Sequence, residues 1–292
     1  MKKVFLLSLL FVIVFSSFAD SRRVEESLHE AFSGYYPITF DVGVGGLLEG
    51  EQDAFDVIGS QEVKVAFSVK YELLSQYSTG LFFAYSQYMF WDLFAESSPF
   101  SEINYMPEFF FRFASGNNFF GNQHFYVFDY FQIGWQHKSN GQGAELSRGW
   151  DRFYADLMLG FEGEENYFGI GVRGFILFDD FFNNYFADLG IIYPVEPNNT
   201  DAREYMGVCE IFSTLDLSGI MPIIFPQRFQ LALAPTDTPE VVGSYITWAQ
   251  LDLFFANFGG FRPHAQVWYG YGEALITYNE PALSIRAGVA LY

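Results

Sequence analysis

The chain has 292 residues, half of them hydrophobic and 37 of them phenylalanine, and its 35 acidic against 15 basic side chains give a formal net charge of −20. The apolar load excludes a disordered chain, and the acidic excess argues against nucleic acid as a partner. The single cysteine, Cys209, excludes an intramolecular disulfide framework and a cysteine-based metal site; it reads as a small buried or lipid-facing residue.

The first residues predict an export signal. Lys2 and Lys3 precede the apolar run 4–15, and Ser17-Phe18-Ala19 supplies the small residues a signal peptidase needs. The run is shorter than the ~20 residues of a spanning helix, so cleavage after Ala19 is expected. Its removal leaves 13 basic residues against 35 acidic, a net charge of −22. Residues 20–35, with Arg22-Arg23 and the polar run 25–30, read as a periplasmic lead-in. No composition shift, linker or internal repeat divides the remainder, so residues 36–292 are expected to form one domain.

That domain reads as all-β. Val63, Val65, Phe67, Val69, Tyr71 and Leu73 share one face of an early strand, and Lys64, Ala66, Ser68, Lys70 and Glu72 share the other. The last segment repeats the pattern: Leu283, Ile285, Ala287, Val289 and Leu291 alternate with Ser284, Arg286, Gly288, Ala290 and Tyr292. An apolar stripe backed by polar residues is the pattern of a strand between lipid and a polar lumen. Turn clusters at 114–118, 162–166, 196–201, 235–239 and 257–263 separate such runs. Aromatic clusters such as Phe109-Phe110-Phe111 and Phe181-Phe182 are expected at the membrane interfaces. A soluble β-sandwich also alternates. The export signal, the aromatic load and the terminal Leu291-Tyr292 favour an antiparallel outer-membrane barrel of about a dozen strands, closed because lipid cannot satisfy a free edge.

One hairpin carries candidate chemistry. His137-Lys138-Ser139-Asn140-Gly141 is followed by Ser147-Arg148-Gly149-Trp150-Asp151-Arg152. On a strand, His137 and Ser139 project from the same face, and the turn-rich run 140–148 can return the chain to lay Asp151 beside His137. A base, a hydroxyl and an orienting carboxylate are what acyl transfer requires, because a serine is a poor nucleophile until a base takes its proton. On spacing alone the pair also fits solvated lumen residues. Arg148 and Arg152 are expected to point inward and pair with lumen carboxylates.

The hairpin and its surroundings resemble the outer-membrane phospholipase A family. Gln61-Glu62-Val63-Lys64 opens a strand of the family type. Tyr85-Ser86-Gln87 and Trp91 lead to the run from Ser97-Ser98-Pro99-Phe100 to Met106-Pro107-Glu108, which matches the family's S-S-P-F-x-E-x-N-Y-x-P-E. The hairpin matches H-x-S-N-G followed by S-R-x-W-[N/D]-R, and Gly270-Tyr271-Gly272-Glu273 to Tyr278-Asn279 matches G-Y-G-E-x-L-I-x-Y-N. The resemblance implies a twelve-stranded barrel in the outer membrane of a diderm bacterium and calcium-dependent hydrolysis of phospholipid acyl esters. It also implies a reversible homodimer whose interface completes the site. By that resemblance Ser139 is the nucleophile, His137 the base, Asp151 the orienting group and the Gly141 amide an oxyanion donor. The calcium ligands would be the Ser147 hydroxyl and Gln142 carbonyl of one protomer and the Ser97 carbonyl of the other. Gln87 would hydrogen-bond across the dimer. Asp151 departs from the commoner asparagine, which adds a charge beside the base. The competing expectation is an inactive barrel that serves as a channel or surface-binding protein.

Overall fold

The computed structural model describes residues 38–47, 60–76, 79–93, 95–114, 125–143, 146–162, 166–178 and 201–291. The expected signal, the lead-in, Phe181-Phe182 and Tyr292 lie outside the described residues. Twelve strands follow in chain order: β1 (Ile38–Leu47), β2 (Ser60–Gln76), β3 (Thr79–Trp91), β4 (Phe100–Ala114), β5 (Phe125–Ser139), β6 (Gly149–Glu162), β7 (Tyr167–Leu177), β8 (Cys209–Asp216), β9 (Arg228–Pro235), β10 (Ile246–Phe254), β11 (Phe261–Gly270) and β12 (Ala282–Leu291). Each pairs antiparallel with its neighbour, and β12 returns to β1 with Val289 opposite Phe40, closing the barrel. No helix among the described residues is long and apolar enough to cross a membrane.

The two-residue period decides which side chains fill the barrel. Along β12, Ile285 and Val289 face outward and are exposed, while Ser284, Arg286 and Ala290 are buried inside. β2 follows the same rule along its middle, with Val69, Tyr71 and Leu73 outside and Lys64 and Ala66 inside. Val63, expected on the exposed stripe, is however buried, and Glu72, expected inside, is exposed where the register shifts between Glu72 and Leu74. Cys209 stands on the same outward parity as Ile211 and Leu215. One expectation is corrected here. Phe109-Phe110-Phe111 is not a single interfacial cluster, because alternation sends Phe109 outward and Phe110 inward, where it stacks on Phe82 at 5.0 Å.

Charge sent inward must be paired, since the lumen offers little water. Arg173 grips Asp156 with two hydrogen bonds of 2.7 and 2.8 Å, Arg112 donates twice to Gln132, and Lys64 reaches Gln266 and Glu273. Arg152 points inward as expected, to Gln136 and Glu210. Arg148 does not follow it onto the strand. It lies in the connection before β6, where its Nη1 donates to the Ser147 carbonyl.

Closure in an antiparallel barrel puts alternate connections at opposite ends. Connections 92–99, 140–148, 236–245 and 271–281 share one end, and 217–227 and 255–260 share the other. At the first end, connection 271–281 folds into the lumen. Glu102 of β4 accepts from the amides of Leu275 at 2.6 Å and Ile276 at 2.8 Å, and Leu275 is buried. Burial would raise the Glu273 carboxyl, but Lys64 and Arg286 beside it outweigh that and hold it down at about 2. A cavity of about 150 Å³ remains beneath this cap, with Lys138, Arg152, Trp248 and Trp268 in its walls.

Candidate active site

β5 and β6 pair so that His137 stands opposite Asp151 and Ser139 opposite Gly149. The outward parity of β5 is set by Ile133, which is exposed, and the inward parity by Gln132 and Gln136, which are buried. His137 and Ser139 share the outward parity. The imidazole therefore lies on the barrel wall and not in the lumen, with side-chain exposures of 32% for His137 and 34% for Asp151. Its Nδ1 is 3.1 Å from Asp151 Oδ1. When Nδ1 carries the proton and donates it to the carboxylate, Nε2 is left as the free base. No hydrogen bond joins Ser139 to His137 among the described residues; such bonds often tighten only when substrate binds. Gly149 leaves room beside the hydroxyl, since a Cβ there would sit 3.3 Å from Ser139 Cβ and 3.0 Å from the Lys138 carbonyl.

A row of rings approaches this point along the wall. Phe83, Phe109, Trp135 and His137 follow one another at centroid separations of 4.9, 6.2 and 6.3 Å. Sequence reasoning missed Trp135 and Phe109, although their parity with His137 carried the signal. Such a row offers an apolar track leading to the imidazole.

Asn140 was also missed as more than a motif letter. It is buried at 4% exposure, and its side chain holds connection 140–148 from within. Nδ2 donates to the Leu146 carbonyl at 2.9 Å, and Oδ1 accepts from the amides of Gln142 at 3.2 Å and Arg148 at 3.0 Å. The connection so held presents Gly141, Gln142 and Ser147. Gly141 has φ +65°, and a Cβ on it would meet the Tyr105 ring at 2.7 Å. Only glycine avoids both penalties. The Gly141 amide finds no acceptor among the described residues.

Connection 92–99 is wound tightly by Asp92 N–H donating to the Pro99 carbonyl, Ser98 Oγ donating to the Leu93 carbonyl and Trp91 Nε1 donating to the Ser98 carbonyl. The winding puts Ser97 and Ser98 in the left-handed region, at φ 67° and 42°. Ser97 is exposed, and neither its carbonyl nor that of Gln142 takes a donor among the described residues. Two carbonyls and a hydroxyl are hard oxygen donors of the kind that suit calcium. No cluster of three His, Cys, Asp or Glu that would suit another metal occurs among the described residues. Gln87, on the outward face of β3, accepts from the Tyr85 hydroxyl of its own strand at 2.7 Å.

The model of the family described as phospholipase A1 matches residues 48–291. The chain belongs to the phospholipase A1 family. It is 28% identical over 218 residues to the phospholipase A1 of Escherichia coli K12 and 27% identical over 212 residues to that of Salmonella typhimurium. In both cases the match covers 71% of this chain and 61% of the relative. Among solved structures, the outer membrane phospholipase A of Escherichia coli matches with a TM-score of 0.66 and 25% identity, over 88% of this chain and 90% of that one. The Salmonella typhi outer membrane phospholipase, solved as a dimer with bound calcium, has the same fold, with a TM-score of 0.64 at 24% identity, over 88% of this chain and 92% of its own. The twelve-stranded closed barrel expected from the sequence is thus the family's fold.

Proposed function

We propose that the chain is an outer-membrane phospholipase A, exported by a cleaved signal ending at Ala19, that hydrolyses phospholipid acyl esters with Ser139, His137 and Asp151. The observation that carries this reading is the hydrogen-bonded His137–Asp151 pair on the outer wall, with Ser139 one pleat repeat further on. His137 Nε2 takes the Ser139 proton as Oγ attacks the acyl carbonyl. The bond from carbonyl carbon to glycerol oxygen then breaks, and the departing oxygen takes that proton. Water, deprotonated by the same nitrogen, releases the fatty acid from Ser139. Asp151 holds the ring in the tautomer this requires, and the Gly141 amide faces the oxyanion. The Ser97 and Gln142 carbonyls and the Ser147 hydroxyl would hold calcium, which supplies positive charge near the developing oxyanion. The placement of these ligands on two connections at one barrel end, the outward amide of Gln87 and the calcium-bound dimer of the Salmonella typhi relative support a homodimeric site.

The passive channel is disfavoured by the lumen. Arg112, Arg286, Gln132, Glu108 and Asn104 are fully buried inside it, and connection 271–281 caps one end. The deciding assay refolds the mature barrel in detergent and measures fatty-acid release from phospholipid, with calcium and with chelator. Release should require calcium and vanish in Ser139→Ala, while that variant keeps the gel mobility of a folded barrel. Undiminished hydrolysis by Ser139→Ala would end the nucleophile assignment, and release indifferent to chelator would end the calcium one.

A further inference from the structure

Connection 217–227, at the end of the barrel opposite the candidate site, has the sequence Leu-Ser-Gly-Ile-Met-Pro-Ile-Ile-Phe-Pro-Gln and no charged residue. Water-facing turns are normally polar. Here Ile220, Ile223, Ile224 and Phe225 are exposed, at 64% for Ile223 and 74% for Ile224. The segment is held in one shape: Leu217 and Gln227 continue the β8–β9 ladder at 2.7 Å, Ile220 and Met221 donate to the Leu217 carbonyl, Phe225 donates to Pro222, and Gln227 Nε2 donates to Met221. The amide of Gln227 also donates to Phe254, which joins the segment to connection 255–260, where Phe258 is exposed beside Phe261 at the start of β11.

We propose that this segment is a lipid-inserted foot, seated in the interface of the membrane leaflet at that end of the barrel. The proposal rests on the reading that the barrel spans a membrane. Strand length identifies lipid as the occupant. β8 and β9 have eight residues each. At a rise of ~3.4 Å and a tilt of ~40°, eight residues cover about 21 Å of a lipid-facing band that is about 25 Å tall. The shortfall must be met at one end. The chain beyond the other end of β8 and β9 carries Arg203, Glu204 and Asp237, whereas 217–227 carries no charge. Leu215 and Leu231 of the same two strands are also outward-facing and exposed. Apolar side chains at the rim, next to the shortest strands, supply the missing hydrophobic height.

The test uses the refolded full barrel in phosphatidylcholine vesicles, with an environment-sensitive fluorophore on a cysteine placed by Ile224→Cys in a Cys209→Ser background. A second label on Val172→Cys, at an outward position of mid-barrel β7, reports the lipid-facing wall. Spin-labelled acyl chains should quench both labels, with the label at 224 quenched most by the spin label nearest the headgroup, and aqueous iodide should reach the label at 224 at least several-fold less than in the urea-unfolded chain. A label at 172 quenched by lipid beside one at 224 quenched only by iodide overturns the foot and points to a protein partner for it. A label at 172 that lipid does not quench overturns the membrane-spanning reading and the foot with it.

Discussion

Asn140 should be as necessary as the groups it positions, although it touches no reacting atom. Its side chain makes three hydrogen bonds to backbone within connection 140–148, all from a buried position. At a net value of about 1 kcal/mol each, Asn140→Ala withdraws about 3 kcal/mol from the folded-back form of the connection. Each 1.4 kcal/mol is a factor of ten, so the equilibrium constant for the form that presents Gly141, Gln142 and Ser147 together should fall by about a hundredfold. Part of the loss should be recovered at high calcium, because a cation held by Gln142 and Ser147 favours the same form. The assay is phospholipid hydrolysis as a function of calcium concentration, with folding checked by heat-dependent gel mobility. The expected result is a folded barrel with a much higher calcium midpoint and a lower maximal rate. An Asn140→Ala enzyme with unchanged rate and calcium midpoint would refute the assignment of connection 140–148 to the site.

Asp151→Asn keeps an acceptor for His137 Nδ1 and loses only the charge. A charged acceptor makes a hydrogen bond stronger than a neutral one by about 1 kcal/mol, so hydrolysis should drop about tenfold; Asp151→Ala removes the acceptor too and should drop further. Equal activity in Asp151→Ala and the parent would show that the carboxylate plays no part. Gly141→Ala must adopt φ +65° and push Tyr105, the residue opposite Ser139, so turnover should fall by at least tenfold while the barrel still folds. Turnover equal to the parent's would remove Gly141 from the site. For connection 271–281, the Glu273 carboxyl is held at about 2, below its unfolded value near 4.3. Its ion pairs therefore contribute fully above pH ~4 and are lost only as pH falls through about 2. Pepsin at pH 3 should spare this connection in the parent and cut it in Glu273→Gln; equal resistance would contradict the cap.

Much of the wall was legible because alternation is a two-state code. Once Val69, Tyr71 and Leu73 are outward, Lys64 and Ala66 are inward, and the same logic placed Ile285 outside and Arg286 inside. The pairing of His137 with Asp151 was legible for a related reason: a short connection between antiparallel strands leaves few registers. Phe110 was misread because a run of three aromatics was treated as a unit, whereas alternation divides it. Arg148 was grouped with Arg152 as a strand residue, although it closes the turn-rich run 140–148 and β6 begins at Gly149. What remained hidden depends on backbone turns closed by side chains. Nothing in Ser97-Ser98 announces left-handed φ angles, nothing in Asn140 announces three backbone partners, and the inward fold of 271–281 depends on Glu102, more than 160 residues earlier in the chain.

The outward setting of His137 and Ser139 has a kinetic consequence. In the proposed reaction a lipid would reach them sideways, by two-dimensional travel through the surrounding film, without entering the protein. The concentration that governs turnover is accordingly the mole fraction of phospholipid in that film. Adding inert detergent at constant total lipid should slow the reaction in proportion to the dilution of the surface.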